Sequence, residues 1–321
     1  MIKRTFLCFL VLMVAYLALM TVIKPAKPVA QHQWQDNQIK AENYIYATGT
    51  SNRNVIVGSS LSARLLMDSL PGFTSLAFSG QSIFDGLTIL SHKADLPANV
   101  FIEINVILKD GNKTFTENLF NPILYSTREF FPPLRDGYQP LAITGSYLTV
   151  GVRAALSGIK SRLVHEKPAP VAADPKPAAD PKPADNPVAS NPPPVKNNSE
   201  LFGKMVSMQI DRYSRTPDGD LLESRLRKLS TLVDMLRQRG VKVCFFEMPV
   251  DEHLCQLPLS NAIRQGFYQV FPPDKYNYLP QPGCSGYQTS DGLHLIDQDA
   301  LRYTLYFRGW VNANLALQRP L

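Results

Sequence analysis

Two short stretches, far apart in the chain, carry the residue types that acyl chemistry needs. The first is Val57-Gly58-Ser59-Ser60; the second is Ser290-Asp291-Gly292-Leu293-His294, near the C-terminus. A serine at a strand-to-helix turn exposes its hydroxyl beside the free amides of the helix's first turn, which can hold a developing oxyanion. In an Asp-x-x-His turn the carboxylate can fix the imidazole, and the imidazole can take a proton from a serine. A third residue, Asn105, ends an apolar run; a buried amide is costly there without a partner, and its N–H groups could donate to an oxyanion. Each feature also has a plainer reading: the serines as helix N-caps, Asp291–His294 as an exposed capping turn. Ser59, Ser60 and Ser62 are rival sources of the hydroxyl. His32, His92, His165 and His253 lack a comparable neighbouring carboxylate motif, and no His/Cys cluster suggests a metal, so neither metal nor cofactor is expected.

These residues need elements to bring them together. Asn54-Val55-Ile56-Val57 reads as a strand ending at Gly58, followed by a helix from Ser59 through Leu70. Val100–Val106 reads as a second strand. Leu222, Leu226, Leu229, Val233 and Leu236 share one face of a helix over Asp220–Arg239, Gly240 stops it, and Val241–Phe246 follows as a buried strand. Helix, glycine, strand is an α/β unit. The expectation is an α/β fold, a three-layer doubly wound parallel sheet, with Ser60 and Asn105 at the edge where sites collect. Cys244 reads as core. Cys255 and Cys284 fall in loop-like sequence; paired in an oxidising compartment they would close a loop of about 29 residues, worth roughly 3 kcal/mol, and the alternative is two free thiols. The aromatic loop Phe267–Tyr278, with Pro249, is either packing or the wall of a glycan groove.

Composition narrows the class. Of 321 residues 45% are hydrophobic and 19% charged, enough apolar matter for a core, and the net charge is only +6. That excludes a wholly disordered chain, and a single long apolar run excludes a multi-span one. No zinc-finger spacing or aromatic-basic motif points to nucleic acid. The long run, Thr5–Ile23, follows Lys3 and Arg4 and as a helix would span about 28 Å. No small-x-small cleavage site follows it, so an uncleaved anchor fits better than a cleaved signal. Residues 1–23 are expected to be a cytoplasmic tip and transmembrane helix, 24–50 a juxtamembrane stalk, and 51–164 with 201–321 one α/β domain. Residues 165–200 contain A-D-P-K-P-A in tandem and almost nothing to bury, and read as a disordered insertion.

Taken in order, these blocks resemble the SGNH (GDSL-like) hydrolase superfamily: Gly58-Ser59-Ser60, then Gly80 within Phe78-Ser79-Gly80-Gln81-Ser82, then Asn105 within Ile102-Glu103-Ile104-Asn105, then Asp291-Gly292-Leu293-His294. The likeness spans about Asn54 to Arg308 apart from the proline-rich insertion. Ser59 stands where many relatives have aspartate, and this Gly-Ser-Ser form is similar to the membrane-anchored branch containing teichoic-acid D-alanyl-transfer and alginate-type O-acetylation proteins. The second block lacks the usual asparagine ahead of its glycine, and Val106 replaces the aspartate that usually follows the third block's asparagine. The resemblance implies Ser60, third in its block, as nucleophile, His294 as base and Asp291 as its orienter. It implies an oxyanion hole from the amides of Ser60 and Gly80 and the Asn105 side chain.

With the anchor, it further implies a single-pass protein of the bacterial inner membrane, held through residues 5–23, with its catalytic domain on the periplasmic or extracytoplasmic side. The activity implied is O-acyl transfer, most simply O-acetyl, onto a cell-envelope or secreted polysaccharide, with a multi-span membrane acyltransferase supplying the acyl group. A carbohydrate or lipid esterase of the same fold is the alternative, and a non-catalytic partner subunit of a membrane acyltransferase is the second.

Overall fold

The computed structural model describes residues 2–22, 32–47, 53–139 and 199–316. The strands are β1 (Asn54–Gly58), β2 (Phe73–Ala77), β3 (Asn99–Glu103), β4 (Lys242–Phe246) and β5 (Asn277–Tyr278), of which β1, β3 and β4 are short apolar runs. They make one five-stranded parallel sheet in the order β2-β1-β3-β4-β5. The chain leaves β1 in one direction for β2, then crosses back to add the remaining strands on the other side. The boundary between β1 and β3 is therefore a topological switch point, the place where open α/β sheets hold ligands.

The described helices are α1 (Ile2–Val22), α2 (Gln33–Ile45), α3 (Ile83–Ser91), α4 (Lys113–Phe120), α5 (Pro122–Phe130), α6 (Ser199–Tyr213), α7 (Gly219–Gln238), α8 (Glu252–Cys255), α9 (Pro258–Val270) and α10 (Asp297–Ala316). Successive strand side chains point to opposite faces. Val55, Val57, Val100, Ile102, Val243 and Phe245 pack with residues of α2, α3, α4, α7 and α9. Ile56, Phe101, Cys244 and Phe246 pack with Ala300, Tyr303, Phe307 and Val311 of α10. Three layers result. The four leucines and one valine expected on one face of α7 are its buried residues, and they pack in the core against the sheet as the periodicity requires.

Several expectations change. No α-helix spans 59–70: the chain makes 3-10 turns at Ser62–Arg64 and Met67–Ser69, with Leu65 extended between them. Leu61, Leu65 and Leu70 are drawn into the α10 face, and Thr304 Oγ1 of α10 takes the Leu66 N–H. The second strand stops at Glu103, so Asn105 lies in the following turn. The stretch expected as a stalk contains α2, which is packed into the domain with Gln35, Asn37, Gln38, Ile39, Ala41, Glu42, Tyr44 and Ile45 buried. In the aromatic loop Phe267 and Phe271 are wholly buried around Phe245, so they are packing rather than groove wall.

Among the described residues no helix is long and apolar enough to cross a membrane, so the expected transmembrane helix is not found. At its position lies α1, whose first turn holds Lys3 and Arg4 and whose Phe6, Leu7, Phe9 and Leu12 are exposed. Residues 23–31, 48–52 and 140–198, which include Ile23 and most of the proline-rich stretch, lie outside the described residues; Ser199 and Glu200 already belong to α6. Cys255 and Cys284 are joined as a disulfide, while Cys244 is a buried free thiol whose burial pushes its pKa up to about 12.

Candidate active site

The turn after β1 and the loop before α10 meet above the C-terminal edge of the sheet. His294 Nε2 lies 2.9 Å from Ser60 Oγ, and His294 Nδ1 lies 2.7 Å from Asp291 Oδ2. Asp291 does two jobs. Its Oδ1 accepts the backbone N–H groups of Leu293 and His294, closing the turn, while Oδ2 faces the ring. Gly292 sits at φ +90°, where a side chain would be strained, and its carbonyl accepts the Asp251 N–H. Burial pushes the Asp291 carboxyl up, but the ring hydrogen bond and the two amides outweigh it and hold the pKa at about 2. An ionised carboxylate can only accept, so the imidazole proton sits on Nδ1. That leaves the Nε2 lone pair to accept from the Ser60 hydroxyl.

The rival serines are settled by a residue whose role the sequence did not suggest. Glu103, the last residue of β3, is fully buried. Its Oε2 accepts the Ser59 and Ser62 N–H groups at 2.9 and 3.1 Å and the Ser62 hydroxyl at 2.6 Å; its Oε1 accepts the Ser59 hydroxyl at 2.7 Å. Ser59 and Ser62 are thus turned inward, and half-buried Ser60 between them faces His294. Parallel pairing of Val57 with Ile102 brings Glu103 beside Gly58. A Cβ on Gly58 would fall 1.8 Å from Ser62 Oγ and 2.7 Å from Glu103 Oε2, so glycine is needed for this approach. The only available sequence signal was a glutamate inside an apolar strand, which must find donors if buried.

Oxyanion donors were expected at Ser60, Gly80 and Asn105. Among the described residues the backbone N–H groups of Ser60 and Gly80 have no acceptor, which leaves both free to donate. Gly80 adopts φ +70°, and a Cβ there would meet Gln33 Nε2 at 2.4 Å. The Ser79–Gly80 loop is held from α2: Asn37, 1% exposed, accepts the Ser79 N–H at 3.1 Å and donates to the Ser79 carbonyl at 2.8 Å. Asn105 is bound differently from the expectation. Its Oδ1 accepts the Met248 N–H at 2.8 Å and its Nδ2 donates to the Met248 carbonyl at 3.0 Å, tying the turns after β3 and β4 together. One amide hydrogen is thereby committed, and a single N–H remains for an oxyanion.

The sequence passed over a second histidine. His253 does have a carboxylate partner, with Nδ1 2.7 Å from Asp251 Oδ1, and the hydrogen bond raises its pKa. The pair is an exposed cap of α8. Among the described residues no group of His, Cys, Asp and Glu is arranged to hold a metal ion. No protein-family model, no curated protein and no solved structure matches this chain.

Proposed function

We propose that this protein is an SGNH-type serine acyltransferase that transfers an O-acyl group, most simply acetyl, onto a cell-envelope or secreted polysaccharide. The observation that carries the reading is the continuous relay Asp291–His294–Ser60, with contacts of 2.7 and 2.9 Å. Ser60 Oγ attacks the acyl carbonyl as its proton passes to His294 Nε2. The oxyanion so formed is held by the Ser60 and Gly80 amides and the remaining Asn105 N–H, each worth about 3 kcal/mol in such sites. The intermediate collapses to acyl-Ser60 as the imidazolium protonates the leaving oxygen. His294 then deprotonates an acceptor hydroxyl, which attacks the acyl-serine and releases Ser60. Asp291 keeps the ring in register and balances its charge. The apolar helix α1 supports attachment to a membrane, with the domain on the extracytoplasmic side, where the Cys255–Cys284 disulfide is at home. A multi-span membrane acyltransferase is the proposed source of acyl groups.

The test uses the full-length protein in detergent with a chromogenic acetyl ester. Mass spectrometry is expected to find acetyl on the peptide containing Ser60, and added oligosaccharide to be acetylated faster than the ester is hydrolysed. Hydrolysis indifferent to every acceptor would make it an esterase of the same chemistry. Turnover unchanged in Ser60→Ala would overturn the acyl-serine reading.

A further inference from the structure

We propose that Glu103 is the positioning residue of the nucleophile: its buried carboxylate locks the Ser59–Ser62 turn so that Ser60 alone is presented to His294, and its fixed negative charge favours the imidazolium that forms when Ser60 is acylated. This rests on the acyl-serine reading above and adds a residue to it.

Three observations converge. Glu103 has no solvent exposure, yet among the described residues no lysine or arginine pairs with it; its partners are two N–H and two O–H groups, all from Ser59 and Ser62. Three of the four donors fall on Oε2 and one on Oε1, so both oxygens of the carboxylate are engaged. The two residues it grips flank the nucleophile, so a loss of grip moves Ser60 directly. Gly58 is the only residue type that leaves room for this contact. A leucine or valine in this position would fill the strand end more cheaply, since an ion buried without a counter-charge is costly. The return for that cost lies in the turn and in the field at its tip.

The other ionisable groups around Glu103 do not cancel its charge. Tyr213 of α6 and Tyr303 of α10 are neutral; burial raises both, and the nearby Glu103 and Glu247 add to the rise. Glu247 is itself paired with Arg264 at 2.7 Å. On the other side of the ring stand Asp291 and, against Gly292, the Asp251–His253 pair. The cations nearby are Arg64, which donates to the Leu295 carbonyl beside His294 and pairs with Asp297, and Arg212, which acts on Tyr213; among the described residues neither bonds to Glu103, so removing its charge removes an anion that no cation contacts.

The experiment compares full-length wild type, Glu103→Gln and Glu103→Asp, with kcat counted per Ser60 titrated by a fluorophosphonate. Glu103→Gln keeps the size and loses the charge. Its kcat is expected to fall on the order of 100-fold with KM within about twofold, as a misplaced nucleophile would. The acidic limb of its kcat/KM profile should move to lower pH. Glu103→Asp keeps the charge but is too short to grip both serines, so kcat falls while the limb stays at the wild-type pH. Variants that merely melt earlier, with wild-type kcat per titrated site and a wild-type pH profile, would reduce Glu103 to scaffold and overturn the proposal. Should the glutamate variants fail to fold, Ser59→Ala combined with Ser62→Ala removes the grip from the other side, and wild-type kcat per site there would be equally fatal. If wild type itself is never acylated at Ser60, the acyl-serine reading fails. The His294 ring titration, followed by NMR of labelled histidine in wild type and Glu103→Gln, still decides the charge: a shift to lower pH supports it and coincident curves sink it.

Discussion

Asp291 shows how one side chain can both close a turn and hold an imidazole. One oxygen closes its own turn on two amides, and the other aligns the ring, so neither reading of Asp-x-x-His excludes the other. Its pKa of about 2 lies below the usual carboxylate value, so its stabilising contribution is present above about pH 4 and is lost only as pH falls through 2. Between pH 5 and 7 Asp291 therefore stays ionised, and a loss of activity there would not be its titration. Asp291→Asn is expected to keep the turn through its carbonyl oxygen while its amide favours the wrong tautomer of His294. Steady-state assays should show kcat lower by about 10³- to 10⁴-fold, with a melting temperature lowered far less than that loss implies. An Asp291→Asn enzyme within tenfold of wild type would mean that the ring is oriented by something else.

At the scale of elements, legibility followed the hydrophobic pattern. β1, β3 and β4 could be read as short runs of consecutive apolar residues, and α7 because its apolar residues repeat with the helical period. β2 was hidden because Phe73-Thr74-Ser75-Leu76-Ala77 is half polar, and β5 because it has only two residues. The stretch from Ser59 to Leu70 was expected as a helix, but the chain makes two tight turns there and packs Leu61, Leu65 and Leu70 beneath α10. The contacts of Ser60, His294 and Asp291 could be anticipated because a serine after a strand and an Asp-x-x-His turn are visible in the sequence; the grip of Glu103 could not, since it depends on which strands are neighbours. α2 was the largest omission. Its buried residues mix Gln35, Asn37, Gln38 and Glu42 with Ile39, Ala41, Tyr44 and Ile45, so no clean hydrophobic pattern betrays it. The polar part matters because Asn37 holds the Ser79–Gly80 loop by two hydrogen bonds and Lys40 donates to the Ala77 carbonyl beside it. Asn37→Ala should cost about 1–3 kcal/mol in thermal or denaturant unfolding. It should also lower kcat about tenfold at little changed KM, because the Gly80 amide loses its aim. Unchanged kcat in a destabilised Asn37→Ala protein would confine α2 to packing.

Across the whole molecule, α2 is clasped between the sheet and an outer layer, and the outer clasp is an ionisable one. Buried Glu42 meets Arg128 of α5 at 3.2 Å and accepts the Asp136 N–H at 2.7 Å, while Arg128 also reaches Asp136. Burial dominates this carboxyl and Arg128 only partly offsets it, so its pKa rises from an ordinary 4.5 to about 7. The folded protein then holds a proton that the unfolded chain releases. The resulting stability is complete below about pH 4.5 and is lost as pH rises through 7. Wild type should melt at a lower temperature at pH 8 than at pH 5, with up to about 3 kcal/mol of the difference belonging to Glu42. Glu42→Gln, a permanent mimic of the protonated form, should flatten that slope by stabilising the protein at pH 8 relative to wild type. Asp85 is also raised by burial, but its effect is common to both proteins and cancels in the comparison. Parallel slopes for wild type and Glu42→Gln would show that Arg128 keeps Glu42 ionised throughout. In that case the clasp on α2, and through Asn37 on the Ser79–Gly80 loop, would be an ion pair indifferent to pH in this range.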